Sequence, residues 1–336
     1  MTSPDVTILI PMFNAEPFIE ESLSSALAQT HRDICVLIID DGSTDRSREV
    51  AARVADNRTR IIMHPLNRGR TAAVATGLKA VETEFTAILG ADDILLPDLI
   101  ERELDMFRGD PRLDVVSCAL ESMSATGQRS HHVERVPVSH EEIAVTMLHH
   151  PAVSHGGAMG RTSVMTSVPY DAPFDVAEDY YFWVRLFLNG ARFANIPTAH
   201  YLYRQHPGQS VVVEKRAMME AHCAVQRILV DSLFSQASKA ERETLLSWLA
   251  PASACRPESW PDGTSMDTAL RATRFLLEHP HPLLPSSAVQ ELRRKVVERD
   301  VIARGGTPSA RELMKVWSEL PWRQRVNVTR RVLRRG

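Results

Sequence analysis

Three stretches of this chain set polar residues directly after apolar runs: Pro11-Met-Phe-Asn14, Asp40-Asp-Gly-Ser-Thr-Asp45 and Gly90-Ala-Asp-Asp93. Adjacent carboxylates after a buried run repel each other and lose hydration unless a cation relieves them. A hard divalent ion takes one or two carboxylates and fills its shell with oxygens such as those of a phosphate. Asp92 and Asp93 therefore read as a Mn2+ or Mg2+ site for a diphosphate, and Gly90 lets backbone or ligand come close. A solvated turn capping the next helix is the competing reading of that pair alone. One carboxylate of Asp40 and Asp41 can accept hydrogen bonds from a nucleobase or a ribose, and Phe13 can pack on the base. Turn chemistry and a core aromatic compete with those two roles. Arg70 follows Asn67-Arg-Gly69 and opens a helical pattern, where a guanidinium suits a phosphate; Arg68 is the neighbouring candidate, and a plain surface cation is the competing reading of either. Glu178-Asp179 precedes the aromatic run Tyr180-Tyr-Phe-Trp183. Desolvation there would raise a carboxylate's pKa, as a general base requires. On composition alone, charge complementing a helix dipole is the better reading of that pair.

Placing these groups on one edge needs a particular order of elements. Strand-type runs Val6–Ile10, Val36–Ile39, Arg60–Met63 and Phe85–Leu89 alternate with helical patterns at Pro17–Thr30, Asp45–Ala55, Arg70–Val81 and Pro97–Phe107. Asp45 is the expected N-cap of its helix. Continuous apolar strands between helices predict an α/β fold, with a mainly parallel, Rossmann-like sheet covered by helices on both faces. Ligands of such sheets bind beyond the carboxyl ends of the strands, where the three polar stretches fall. Further on, Val115–Ala119 and Ala199–Arg204 read as strands, and Asp179–Leu188 as a helix.

The net charge of −3 provides no basic field for nucleic acid. The four cysteines, Cys35, Cys118, Cys223 and Cys255, form no Cys-x-x-Cys pair and fit a reducing cytoplasm. No apolar run approaches the roughly 20 residues of a membrane-spanning helix, and no secretory signal opens the chain. Residues 11–16 lack the glycines of a dinucleotide-binding turn, which excludes a nicotinamide dehydrogenase.

The ordered set of motifs resembles family 2 glycosyltransferases, which have the GT-A fold. The resemblance rests on Val6–Asn14, Ser24–Thr30, Ile39–Asp45, Asn67–Gly69, Leu89–Pro97, Glu178–Tyr180 with Trp183 and Arg185, and Tyr203–His206 with Ser210. It implies an inverting transfer of a sugar from a UDP- or dTDP-linked donor to an acceptor nucleophile. Pro11, Phe13, Asn14 and Asp41 would hold the nucleoside, and Arg70 would sit near the base or phosphates. Asp92 would contact ribose or metal, Asp93 would be the main metal ligand, and Asp179 would deprotonate the acceptor. His155, with Glu178, falls in the part expected to line the acceptor side; a structural histidine is an equal reading. Two departures stand out: Gly90 where many members have Asp, and Thr76 where many have Asn. Two other activities compete with this one. A sugar nucleotidyltransferase would want a glycine-rich, basic loop after the first strand, which Pro11–Asn14 does not supply. A non-catalytic sugar-nucleotide binder would have no need of both Asp93 and Asp179.

These motifs assign residues 1–213 to the catalytic domain and 214–336 to a mostly helical region. Helical patterns there cover roughly 216–236, 239–249, 266–278, 287–303 and 309–319. Trp248, Trp260, Trp317 and Trp322 read as core or interface anchors, which allows a homodimer. The tail from Trp322 to Arg335 interleaves arginines with Val326, Val332 and Leu333. A solvated basic helix is the plainer reading. Contact with anionic lipid at the inner face of the membrane is the sharper one. Acceptors left open are a glycan, a lipid-linked sugar, a natural product or a peptide.

Overall fold

The computed structural model describes residues 5–133, 135–174, 176–207 and 215–249, with positions 275, 279, 281–284, 287 and 290. The sequence expectations for Trp248's side chain, for Trp260, Trp317 and Trp322, for the later helical patterns and for the basic tail lie outside the described residues.

The first half follows the expected alternation. Strands β1 (Val6–Met12), β2 (Ile34–Asp40), β3 (Thr59–Met63) and β4 (Phe85–Ile88) alternate with helices α1 (Ile19–Leu27), α2 (Ser47–Val54) and α3 (Arg70–Ala80). The order β3-β2-β1-β4 is parallel throughout. Val6, Ile8, Leu9 and Ile10 are wholly buried because both faces of β1 are covered. Its even residues pack with Ile19, Leu23, Val50 and Ala51 of α1 and α2, while Leu9 meets Gly77 of α3. Helix α2 begins at Ser47, two residues after Asp45, yet Asp45 still accepts the Ser47 amide at 3.0 Å.

The sheet then becomes mixed. β5 (Ile94–Leu95), α4 (Leu99–Gly109), β6 (Val115–Ser124), β7 (Arg129–Val133), α5 (His140–Met147), β8 (Met159–Arg161), α6 (Thr162–Met165), α7 (Glu178–Leu188) and β9 (Phe193–Gln205) follow in that order. Strand β8 is inserted antiparallel between β4 and β6, and β6 pairs in parallel with β9. Among the described residues the sheet has nine strands. Helix α5 is capped by Ser139, whose hydroxyl accepts the Glu142 amide at 3.2 Å while Glu142 takes the Val138 amide at 2.8 Å.

The chain divides into two compact units, Met1–Leu229 and Val230–Gly336. Helix α8 (Lys215–Leu233) leads from the first, and Gln226 on it donates to the His149 carbonyl at 2.6 Å. In the second unit α9 (Lys239–Leu249) buries Leu245, Leu246 and Leu249. No helix among the described residues is long and apolar enough to cross a membrane. Cys35 and Cys118 carry free thiols, whereas Cys223 is disulfide-bonded, of which its scattered spacing gave no sign.

Candidate active site

The polar stretches after β1, β2 and β4 meet at the carboxyl edge of the parallel strands. Asn14 adopts a left-handed backbone at φ 47°, which its short polar side chain tolerates. Its side-chain carbonyl oxygen accepts the Thr44 amide at 2.9 Å, and its own amide donates to Ser43 Oγ at 3.1 Å. The loops after β1 and β2 are thereby tied together. Phe13 stands 43% exposed beside them, so its ring is available to a ligand. Pro11 is half-buried in β1.

Asp40 and Asp41 build the loops. Asp40 pairs with Arg48 at 2.7 Å and accepts the Ser43 amide. Asp41 is 2% exposed. It meets His64 Nδ1 at 2.6 Å and accepts the amides of Arg68 and Gly69, the latter at 2.7 Å. His64 Nε2 continues to Thr76 Oγ1 at 3.0 Å, giving Thr76 a defined partner. A carboxylate offers about four acceptor positions, so three donors leave Asp41 little capacity for a nucleoside. Gly42 lets the two loops touch: at φ 74°, a Cβ there would lie 2.5 Å from the Leu66 carbonyl carbon.

The two acids after β4 have different surroundings. Asp93 is 5% exposed. It accepts the Tyr201 hydroxyl at 2.5 Å and the Arg204 amide at 2.7 Å. Burial, then the charge of Asp92, pushes its carboxyl up to about 7. Asp92 is less buried and accepts from His206 Nε2 at 3.0 Å. Gly90 leaves the room this arrangement uses, since a Cβ there would stand 2.6 Å from Asp93 Oδ2 and 3.2 Å from the Tyr201 hydroxyl.

A second acidic pair stands at the start of α7. Ala177 precedes it with a left-handed backbone at φ 60°, uncommon for alanine, and sets the direction of Glu178 and Asp179. Glu178 is buried, and its Oε1 takes Arg70 Nε at 2.5 Å from the start of α3. Burial opposes the Arg70 charge, but Glu178 and Asp179 hold its pKa above the usual arginine range. Asp179 is half-buried and accepts the Tyr180 amide at 2.7 Å. His155 Nε2 lies 3.2 Å from the Tyr170 hydroxyl, and its ring packs 5.8 Å from Trp183. Burial lowers the His155 pKa against the opposing charges of Asp179 and Glu178. Glu178 Oε2, His155 Nδ1 and Trp183 Nε1 are buried without a hydrogen-bond partner among the described residues.

One side chain reports on both walls. The Tyr203 hydroxyl is pushed up to about 12, first by burial, then by Asp93 and Asp92, with Asp179 adding and Arg70 opposing. Such fields act over roughly a Debye length, about 10 Å. The charges of Asp92, Asp93, Arg70 and Asp179 thus all act on one hydroxyl. Sequence alone assigns no role to Tyr201, Arg204, His206 or His64. Tyr203-Arg-Gln-His206 is the available signal: an arginine and a histidine directly after Tyr201-Leu-Tyr203.

The sequence model of the family described as Glycosyl transferase family 2 matches residues 7–167. An uncharacterized glycosyltransferase of Haemophilus influenzae is 26% identical over 235 residues, covering 67% of this chain and 72% of that protein. The uncharacterized glycosyltransferase EpsJ of Bacillus subtilis is 26% identical over 238 residues, covering 66% of this chain and 67% of its own. In fold, the chain resembles crystal structures of S. aureus TarS 1-349. The complex with UDP superposes with TM-score 0.55 at 16% identity, covering 90% of this chain and 92% of that one. The complex with UDP-GlcNAc gives 0.55 at 18%, covering 89% and 87%. Residues 7–167, which carry the acidic pair after β4, match the family 2 glycosyltransferase model, and the chain is similar over two thirds of its length to proteins named glycosyltransferases.

Proposed function

We propose that this chain transfers a sugar from a nucleoside diphosphate to an acceptor hydroxyl in a single inverting displacement aided by a divalent metal. The observation that carries this reading is the acid pair Asp92 and Asp93 at the carboxyl edge of the sheet, Asp93 only 5% exposed, with Arg70 at the start of α3 paired to Glu178 beside Asp179. Donor first choice is a UDP- or dTDP-sugar, UDP because TarS has been crystallised with UDP and UDP-GlcNAc.

The residues present fit a hard cation. A buried Asp93 pushed up to about 7 beside a second carboxylate is a place where positive charge is welcome. Asp92 and Asp93 would hold Mn2+ or Mg2+, with the less buried Asp92 the more accessible ligand. No cluster of three ligating side chains occurs among the described residues, so the remaining positions suit diphosphate oxygens and water. When bound, the ion supplies charge stabilisation at the departing phosphate.

The chain's own residues do the rest. Phe13 offers its exposed ring to the base, with Pro11 and Asn14 shaping the wall beside it. Asp41 holds the loop of Arg68 and Gly69 that such a wall requires. Arg70, half-exposed on one side, presents its guanidinium to the phosphates while Glu178 fixes its direction. Asp179 takes the acceptor proton as the nucleophile attacks the anomeric carbon from the face opposite the leaving group. His155 lines the acceptor side with Tyr170.

Thermal unfolding with a panel of sugar nucleotides tests this. One UDP- or dTDP-sugar should stabilise the protein only with Mn2+ or Mg2+ present, by about 2.7 kcal/mol at a hundredfold excess over Kd. Equal stabilisation after chelation would remove the metal from the proposal.

A further inference from the structure

Arg204 is 1% exposed and lies at the end of β9, where a strand would ordinarily pass into solvent. A buried guanidinium is retained only where its donors are met. Its Nε donates to the Asp92 carbonyl at 2.6 Å, Nη1 to the Ala125 carbonyl at 3.1 Å, and Nη2 to Glu21 at 2.5 Å. Its backbone amide donates to Asp93 Oδ1 at 2.7 Å. The guanidinium also stands 5.1 Å over the Phe18 ring, which packs 4.9 Å from His206, the partner of Asp92. One residue thus joins α1, the turn carrying both acids, and the turn between β6 and β7.

We propose that Arg204 is a positioning residue for metal binding: its planar fork fixes the backbone of Asp92 against α1 and the β6–β7 turn, and so places Asp92 beside the Asp93 carboxylate that the Arg204 amide holds. This rests on the metal-dependent reading above. The geometry separates it from a plain core arginine, because two of its contacts are to the acid pair itself. A lysine keeps the charge but loses the fork, so it cannot hold Asp92, Ala125 and Glu21 at once.

The test is calorimetric titration of UDP, dTDP and GDP, each with and without Mn2+, into wild type, Arg204→Lys and Arg204→Met, with thermal unfolding alongside. The wild type should bind one nucleotide more tightly with Mn2+. Failure of that alone sinks the metal-dependent reading, and the positioning role with it. If it holds, Arg204→Lys should lose about tenfold or more of the metal-dependent affinity, and Arg204→Met more. The metal-independent affinity should stay within about twofold, since the contacts of Arg204 named above do not include Pro11, Phe13 or Asn14. An equal loss with and without metal marks a purely structural role, and full retention in folded Arg204→Lys overturns the proposal outright. Should Arg204→Lys not fold, Glu21→Ala decides. It frees only the outer arm of the guanidinium, so a two- to fivefold metal-dependent loss supports positioning, and none overturns it.

Discussion

Asp92 and Asp93 are neighbours in sequence but differ in what surrounds them, and the difference is measurable. Asp93 satisfies the Tyr201 hydroxyl and the Arg204 amide inside the protein, whereas the Asp92 side chain meets His206. Asp93→Asn places an NH2 where one of two donors needs an acceptor. It should lower stability by about 1–3 kcal/mol, read by urea unfolding. Asp92→Ala should leave unfolding nearly unchanged and remove the metal-dependent part of nucleotide binding. Gly90→Ala would press a methyl group on the Asp93 carboxylate and should cost about 1–3 kcal/mol; unchanged unfolding would mean the acid pair yields freely. Asp179→Asn should retain nucleotide affinity and lose transfer by about 10²–10⁴-fold. Asp92 and Asp93 stand out in the sequence because a carboxylate directly after an apolar run is a local signal, whereas Asp179 stands out only through the family resemblance. His64, Tyr201 and Arg204 are not legible there. Their partners lie 23, 108 and 111 residues away, and no local pattern carries such contacts.

At the level of elements, legibility follows strand length and burial. The parallel strands and their helices appear where periodicity places them, because runs buried on both faces are continuously apolar. β5 and β8 span two and three residues, too short for any period to show, and the five residues of β7 are all exposed, so no apolar pattern marks it. Helix α5 goes unread in the sequence although Ser139 and Glu142 mark its start. Helix α4 hides a further feature: Glu103 is fully buried on its inner face, and neither carboxyl oxygen makes a well-formed hydrogen bond. Burial pushes its pKa well above the usual glutamate range. The folded state then holds a proton that the unfolded chain releases near pH 4.5, so stability falls as pH rises from there towards the raised value. Glu103→Leu should flatten that decline and raise stability at about pH 8 by about 1–3 kcal/mol. Parallel pH profiles of unfolding for the two proteins would contradict this.

On the scale of the whole molecule, the proposed reaction needs two acidic walls around one pocket. In the proposed reading β1, β2, β4 and the start of α3 would form the nucleotide wall, and α7 with the loop of His155 the acceptor wall. The loop holding His155 is fastened to the end of β4 by the Gly157 amide on the Ile88 carbonyl at 2.9 Å. The acceptor wall is therefore built onto the strand that delivers Asp92 and Asp93. The most direct measurement is a crystal structure of this protein with Mn2+ and a UDP-sugar. The ion is expected on Asp92 or Asp93, bridging diphosphate oxygens, with the Asp179 carboxylate facing the anomeric carbon from the side opposite the leaving phosphate. An ion bound away from both acids, or Asp179 turned from the sugar with another base in its place, would contradict the proposed mechanism.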